Sequence, residues 1–191
     1  YPTIPHNCSF VSAASTSPHV TNFIHVFGHY ICRPMTAPLG QLLVFLPGTG
    51  TNDYTDFVKV ASELGFHSIS LDWINHPCAG AACGIKLKQY TCNGPVIPPE
   101  CEACTIALQR TRLMGSQAPN TSNPVQTVDS FNSIVGRTEA ALSYLTKTEP
   151  ALHWEQFLTQ NGSLRWEVTT VGGHSRGSSY PPLVSKIFKA R

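Results

Sequence analysis

Residues 41–46 form an almost unbroken apolar run, Gln41-Leu42-Leu43-Val44-Phe45-Leu46, ended by Pro47-Gly48-Thr49-Gly50. A run of this length closed by turn residues predicts a central parallel strand entering a glycine-rich turn. Over residues 51–64 the spacing becomes helical. Phe57, Val58, Val60, Ala61 and Leu64 share one face, Asn52 or Asp53 stands where an N-cap belongs, and Gly65 stops the helix. Residues 67–71 return to a strand pattern. Residues 41–71 therefore read as one βαβ unit, with a right-handed crossover expected. Upstream, two short apolar segments at 20–27 and 29–33 are separated by Gly28 and predict two strands joined by a turn. Residues 1–18, rich in Ser, Thr, Ala and Pro, keep no period and predict an arm or loop.

From residue 76 to about 125 the pattern breaks, with many Pro and Gly residues and no period of 2 or 3.6. This stretch predicts an irregular excursion, stapled by disulfides or forming a cap. Helical spacing resumes over 128–146 through Phe131, Ile134, Val135, Ala141, Leu142 and Leu145. Asp129 near the start and Lys147 near the end suit the helix dipole. Residues 154–158 predict a short helix against the sheet, 164–171 a strand, and 183–188 part of a closing helix. No internal repeat or low-complexity tract interrupts this order. The elements predict a single α/β domain with a doubly wound, mostly parallel sheet.

With 41% hydrophobic and 13% charged residues in 191, the chain can bury a core. Its 13 basic and 11 acidic residues are spread out, for a net charge of +2, so nothing points to nucleic acid or an anionic membrane surface. The longest apolar run, Leu42 to Leu46, is far short of the roughly 18 residues that span a bilayer. Oligomeric state is not readable.

Five of the seven cysteines cluster as Cys78, Cys83, Cys92, Cys101 and Cys104, which predicts an oxidising compartment. Sequons at Asn7, Asn120 and Asn161 point the same way, to a secreted or extracytoplasmic glycoprotein. The chain starts at Tyr1 with no apolar leader, so a signal peptide is expected to have been removed or left out. Cys101-Glu102-Ala103-Cys104 admits a zinc reading, but no second such pair appears and His76 is the nearest histidine. Disulfides are the favoured reading, with zinc and free thiols as alternatives. An odd count leaves at least one cysteine unpaired or paired between chains.

The chemistry gathers at Gly173-His174-Ser175-Arg176-Gly177. Gly-x-Ser-x-Gly is weak alone but gains weight after a predicted strand and before a predicted helix, because a nucleophile on such a turn stands at a strand's carboxyl end. The glycines are needed where strand and helix backbones close on each other. Pro47-Gly48-Thr49-Gly50 matches the place for half of an oxyanion hole. Ser175 is thus the candidate nucleophile, with the backbone N–H of Arg176 and of Thr49, or Gly50, as donors to the oxyanion. The rival reading is a plain strand-to-helix turn. His174 is expected to point away from Ser175 and serve structure. Asp72 and His76, just past a strand end, admit a substrate-side role, but a loop cap or surface position is the favoured reading.

These residues resemble the α/β-hydrolase fold family, and within it an uncharacterised group of bacterial and eukaryotic hydrolase-like proteins. The resemblance runs over Leu42 to Gly50, Ser130 to Arg137, Leu164-Arg165-Trp166 and Gly173 to Gly177. The family usually continues the elbow with small residues, whereas here Ser178-Ser179-Tyr180-Pro181-Pro182 follows. The resemblance implies a serine hydrolase acting on a small-molecule or lipid-like carboxylic ester through an acyl-enzyme, with no cofactor or metal. A non-catalytic binding protein on the same scaffold is the alternative. It also implies a triad in the order Ser, acid, His. All eight histidines, His6 to His174, precede Ser175, and Arg176 to Arg191 hold no Asp, Glu or His. The expectation is a fragment, inactive alone, without the triad acid, the base and the last strands of the sheet.

Overall fold

Five strands build one mixed sheet in the order β1-β2-β4-β3-β5: β1 (Cys8–Val11), β2 (His29–Cys32), β3 (Leu42–Leu46), β4 (His67–Ser70) and β5 (Thr169–Gly173). The computed structural model describes residues 7–21, 27–50, 54–77, 79–87, 92, 96–117 and 126–190. β1 and β2 pair antiparallel, β2 runs antiparallel to β4, and β4, β3 and β5 are mutually parallel. The helices are α1 (Ala13–Thr16), α2 (Thr55–Glu63), α3 (Ala79–Leu87), α4 (Pro99–Met114), α5 (Ile134–Thr148) and α6 (Tyr180–Phe188).

The central strand falls where the apolar run predicts it. All five residues of β3 are buried, because helices cover both faces of the sheet. Leu42, Val44 and Leu46 join Ile69, Leu71, Trp154, Phe157, Leu142 and Val184 on the face of α5 and α6, while Leu43 and Phe45 meet Val58 and Ala61 of α2 on the other. β3, α2 and β4 form the expected βαβ unit. Gly65 ends α2 with φ +95°, and a Cβ there would come 2.7 Å from the Ala37 carbonyl oxygen.

Several elements depart from the sequence pattern. The expected hairpin does not form from 20–27 and 29–33: in the described part of 20–27, Val20 and Thr21 are not strand and Phe27 lies in a turn. β2 pairs instead with Cys8–Val11, inside the stretch read as an arm, and a Cys8–Cys32 disulfide joins the two strands. Pairing with β1 gives β2 a neighbour whose disulfide supplements a small apolar contribution. On α2, Val58 and Ala61 face the core, whereas Phe57, Val60 and Leu64 of the same predicted stripe are exposed. The candidate N-caps Asn52 and Asp53 lie outside the described residues.

The largest correction concerns residues 76–125, which hold two helices instead of an irregular excursion. Disulfides Cys83–Cys104 and Cys92–Cys101 tie α3 to α4 and the preceding segment to α4. α4 was hidden because its buried positions are Cys101, Leu108, Thr111, Arg112 and Leu113, a set without an apolar period. Its ends were nevertheless legible: Pro99 at the first turn, Glu100 and Glu102 beside it, and Gly115 with φ +92° after the last turn. Cys78 and Asn120 lie outside the described residues. α5 starts six residues later than its period suggests, at Ile134, after the N-cap Ser133, whose side chain accepts from the Gly136 backbone N–H. Residues 164–168 are a bridge and a short 3-10 turn, so β5 begins at Thr169.

Candidate active site

β3 and β5 are neighbours, with Leu46 opposite Gly173, so the two turns that leave their carboxyl ends lie side by side. This register is what joins Pro47-Gly48-Thr49-Gly50 to Gly173-His174-Ser175-Arg176-Gly177. The His174 N–H donates to the Leu46 carbonyl (3.1 Å), extending the ladder by one rung before the chain turns sharply. Ser175 takes φ +52°, the left-handed region that non-glycine residues rarely occupy. The following 3-10 turn, Ser175–Ser179, leads into α6. Its hydroxyls stitch it locally: Ser178 Oγ donates to the Ser175 carbonyl (2.6 Å) and Ser179 Oγ to the Arg176 carbonyl (2.9 Å). Pro181 and Pro182 sit in the first turn of α6, where missing N–H groups cost nothing.

Two glycines make this turn sterically feasible. A Cβ on Gly177 would overlap the Leu46 carbonyl oxygen, and one on Gly173 would overlap the Gly177 backbone. Gly48 is close-packed in the same sense: its Cβ would stand 3.2 Å from Ser175 Cβ and 3.5 Å from His174 Nδ1. The glycine-rich turn thus rests directly against Ser175. Ser175 itself is exposed. A cavity of about 360 Å³ opens there, lined by Thr49, Ser175, Arg176 and Ser179. A larger one of about 590 Å³, against Gly40 and His67, lies at the opposite end of β3 and β4 and contains none of these groups.

Behind the turn stands a buried polar framework that the sequence did not reveal. Asn75 is 1% exposed and grips the turn twice. Its Nδ2 donates to the Gly48 carbonyl at 2.7 Å, and its Oδ1 accepts from the Gly50 N–H at 3.1 Å. The Gly50 N–H is therefore engaged, which leaves Thr49 as the turn's candidate donor. The buried Trp73 Nε1 donates to the Pro47 carbonyl (3.3 Å), and its ring packs edge-on against Tyr180, 4.9 Å between centroids. Burial pushes the Tyr180 hydroxyl up to about 12, against the opposing pull of Arg112 and Arg176. Arg112, on α4, ties this point to the residues that flank α3 and α4, donating to the Pro77 carbonyl (2.6 Å) and to Gln126 Oε1 (2.8 Å). Residues 71–75 all stay buried past β4 and carry this framework.

Other candidates resolve plainly. Asp72 is not a loop cap or surface residue. It is fully buried and ion-paired with the equally buried Arg137 (3.5 Å), which also donates to the Asp72 carbonyl (3.1 Å). The Asp72 N–H donates to Nδ1 of the buried His29 (3.0 Å). His76 is exposed. The His174 ring packs against Tyr54, 4.4 Å between centroids, as a structural neighbour of the turn. Among the described residues, no side chain is hydrogen-bonded to the Ser175 hydroxyl, no cluster of His, Cys, Asp or Glu is arranged to hold a metal ion, and no helix is long and apolar enough to cross a membrane. Asn7 and Asn161 are exposed. The chain matches no protein-family model, and no curated protein or solved structure is significantly similar to it.

Proposed function

We propose that this chain carries the nucleophile and oxyanion-binding half of a serine hydrolase of α/β-hydrolase type. The observation that carries the reading is Ser175 at φ +52° on a turn possible only with Gly173 and Gly177, set against a second glycine-rich turn from the adjacent parallel strand. Strain of this kind persists only where the surrounding structure imposes it, and here it presents one hydroxyl at the carboxyl edge of the sheet.

In this reading the Ser175 oxygen attacks the carbonyl carbon of a carboxylic ester. The carbonyl electron pair moves onto its oxygen, which accepts hydrogen bonds from the backbone N–H of Arg176 and of Thr49. Collapse expels the alcohol and leaves an acyl group on Ser175, which water then removes. Loss of one such donor typically costs about a hundred-fold or more in rate. The Ser175 proton needs an acceptor, which the family resemblance assigns to a histidine paired with an acid. The small cavity lined by hydroxyls and Arg176 suits a small-molecule ester. The three disulfides favour an oxidising, extracytoplasmic setting.

A second reading, a binding module on the same scaffold, is favoured by one observation: no base among the described residues is hydrogen-bonded to Ser175. Release of p-nitrophenol from p-nitrophenyl acetate by the purified chain, beside Ser175→Ala, decides between them. Without the base, only a slow wild-type rate is expected, exceeding that of Ser175→Ala by a small margin. The residual acceleration that oxyanion donors alone provide, about a thousand-fold over water, is shared by Ser175→Ala, so only the excess of wild type over that variant reports the nucleophile. Equal rates, with both proteins folded, would show that Ser175 is not an active nucleophile in this chain.

A further inference from the structure

We propose that Asn75 is the positioning residue of the oxyanion site, and that its side-chain amide aims the Thr49 N–H at the oxygen developing beside Ser175. The inference rests on reading Ser175 as the nucleophile. The Gly48 carbonyl and the Thr49 N–H belong to the same planar, trans peptide unit and point in opposite directions. Asn75 Nδ2 holds that carbonyl at 2.7 Å from the buried side. The Thr49 N–H is thereby turned away from Asn75, and Thr49 lines the cavity that contains Ser175.

The second bond closes the device. Asn75 Oδ1 accepts from the Gly50 N–H at 3.1 Å, so one rigid amide fixes the peptide planes on both sides of Thr49. Gly50 takes φ +69°, a left-handed conformation that would otherwise be one of several open to a glycine. A turn with three glycine or proline neighbours would sample many orientations, and an oxyanion donor is effective only when it is held before the charge develops. The anchor itself is rigid. Asn75 is buried, and its neighbours Trp73 and Asp72 are held by the Pro47 carbonyl and by Arg137.

The chemistry of the grip demands a group that donates and accepts at once from one plane. A carboxylate of the same shape accepts from Gly50 but meets the Gly48 carbonyl with a lone pair. The Asn75→Asp variant is therefore the sharp test, because protonation restores the missing donor. Burial raises the pKa of such a carboxyl and brings the recovery into an accessible pH range.

The experiment follows Ser175-dependent p-nitrophenol release from p-nitrophenyl acetate by wild type, Ser175→Ala and Asn75→Asp between about pH 5 and about pH 8, with circular dichroism confirming each fold. At the upper end, kcat of Asn75→Asp should be lower than wild type by at least about ten-fold at little-changed KM. The ratio of variant to wild type should climb as pH falls. Amide exchange adds a readout on the unmodified protein: the N–H of Gly50, a residue exposed as a whole, should be protected. An unchanged kcat in folded Asn75→Asp, or a pH-independent deficit, overturns the inference and leaves the nucleophile standing. A Gly50 amide in wild type that exchanges as fast as a free loop also overturns it. A wild-type rate equal to Ser175→Ala removes the nucleophile reading, and this inference with it.

Discussion

Ser175, Gly173 and Gly177 show how much one residue's backbone can decide. Gly177 approaches the Leu46 carbonyl so closely that its α-carbon leaves no space for a methyl, and the obstacle is backbone, not a side chain that could swing aside. Gly177→Ala should therefore destabilise the chain by about 1–3 kcal/mol or more, as overpacking does, and lower the urea midpoint accordingly. A midpoint within error of wild type would mean that β3 and the elbow are farther apart in solution. The motif was legible in the sequence because glycine is the residue that such a close approach requires. Asn75 was not, because a lone Asn after a strand reads as a turn residue until its two partners, Gly48 and Gly50, are placed opposite it.

At the scale of elements, α3 and α4 are the instructive pair. Two disulfides do for them what an apolar stripe does for α2 and α5. Cys83 and Cys101 are fully buried within a cluster built mainly of cysteines, so the hydrophobic period that would announce a helix is replaced by covalent closure. Closing a loop of 21 residues of separation should contribute about 3 kcal/mol on the chain-entropy account. Replacing Cys83 and Cys104 together by Ala should thus make residues 79–114 markedly more sensitive to protease while the sheet persists. Peptide mapping without reduction should find Cys8–Cys32, Cys83–Cys104 and Cys92–Cys101. Undisturbed resistance in the double variant, or a different pairing, would show that the segment is held by other contacts. Because Arg112 of α4 reaches the Pro77 carbonyl and lies beside Tyr180, loosening α4 should also reach the elbow.

Over the whole molecule, buried ionisable groups set the response to acid. Burial, with the Arg137 charge added, holds His29 down to about 3, and burial also lowers His67 despite its bond to the Leu152 carbonyl. In the unfolded chain both titrate near the ordinary histidine value of about 6.5. Between those values the unfolded state binds more protons than the native one, so stability is full above about pH 6.5 and falls as pH drops towards 3. The melting temperature should decline from pH 7 to 5, a window above most carboxylate titration (about pH 4,). His29→Gln, which keeps an acceptor for the Asp72 N–H, should show a shallower slope. An equal slope in the variant would remove His29 as its source.

The two βαβ strands, the helix stop at Gly65 and the elbow were legible in the chain because each depends on local rules: apolar runs for strands buried on both faces, and glycine where backbones touch. The pairing of β2 with β1, the start of α5 and the helical nature of residues 79–87 and 99–114 were not. Each depends on a distant partner, a disulfide or a polar side chain buried by its neighbours. The site divides in the same way. Ser175 and its glycines announce themselves in five consecutive residues, whereas their meeting with Thr49 follows from β3 and β5 being adjacent and in register. That the Gly50 N–H is the one engaged turns on a single buried amide, and no period or motif along a chain encodes which N–H that amide will occupy.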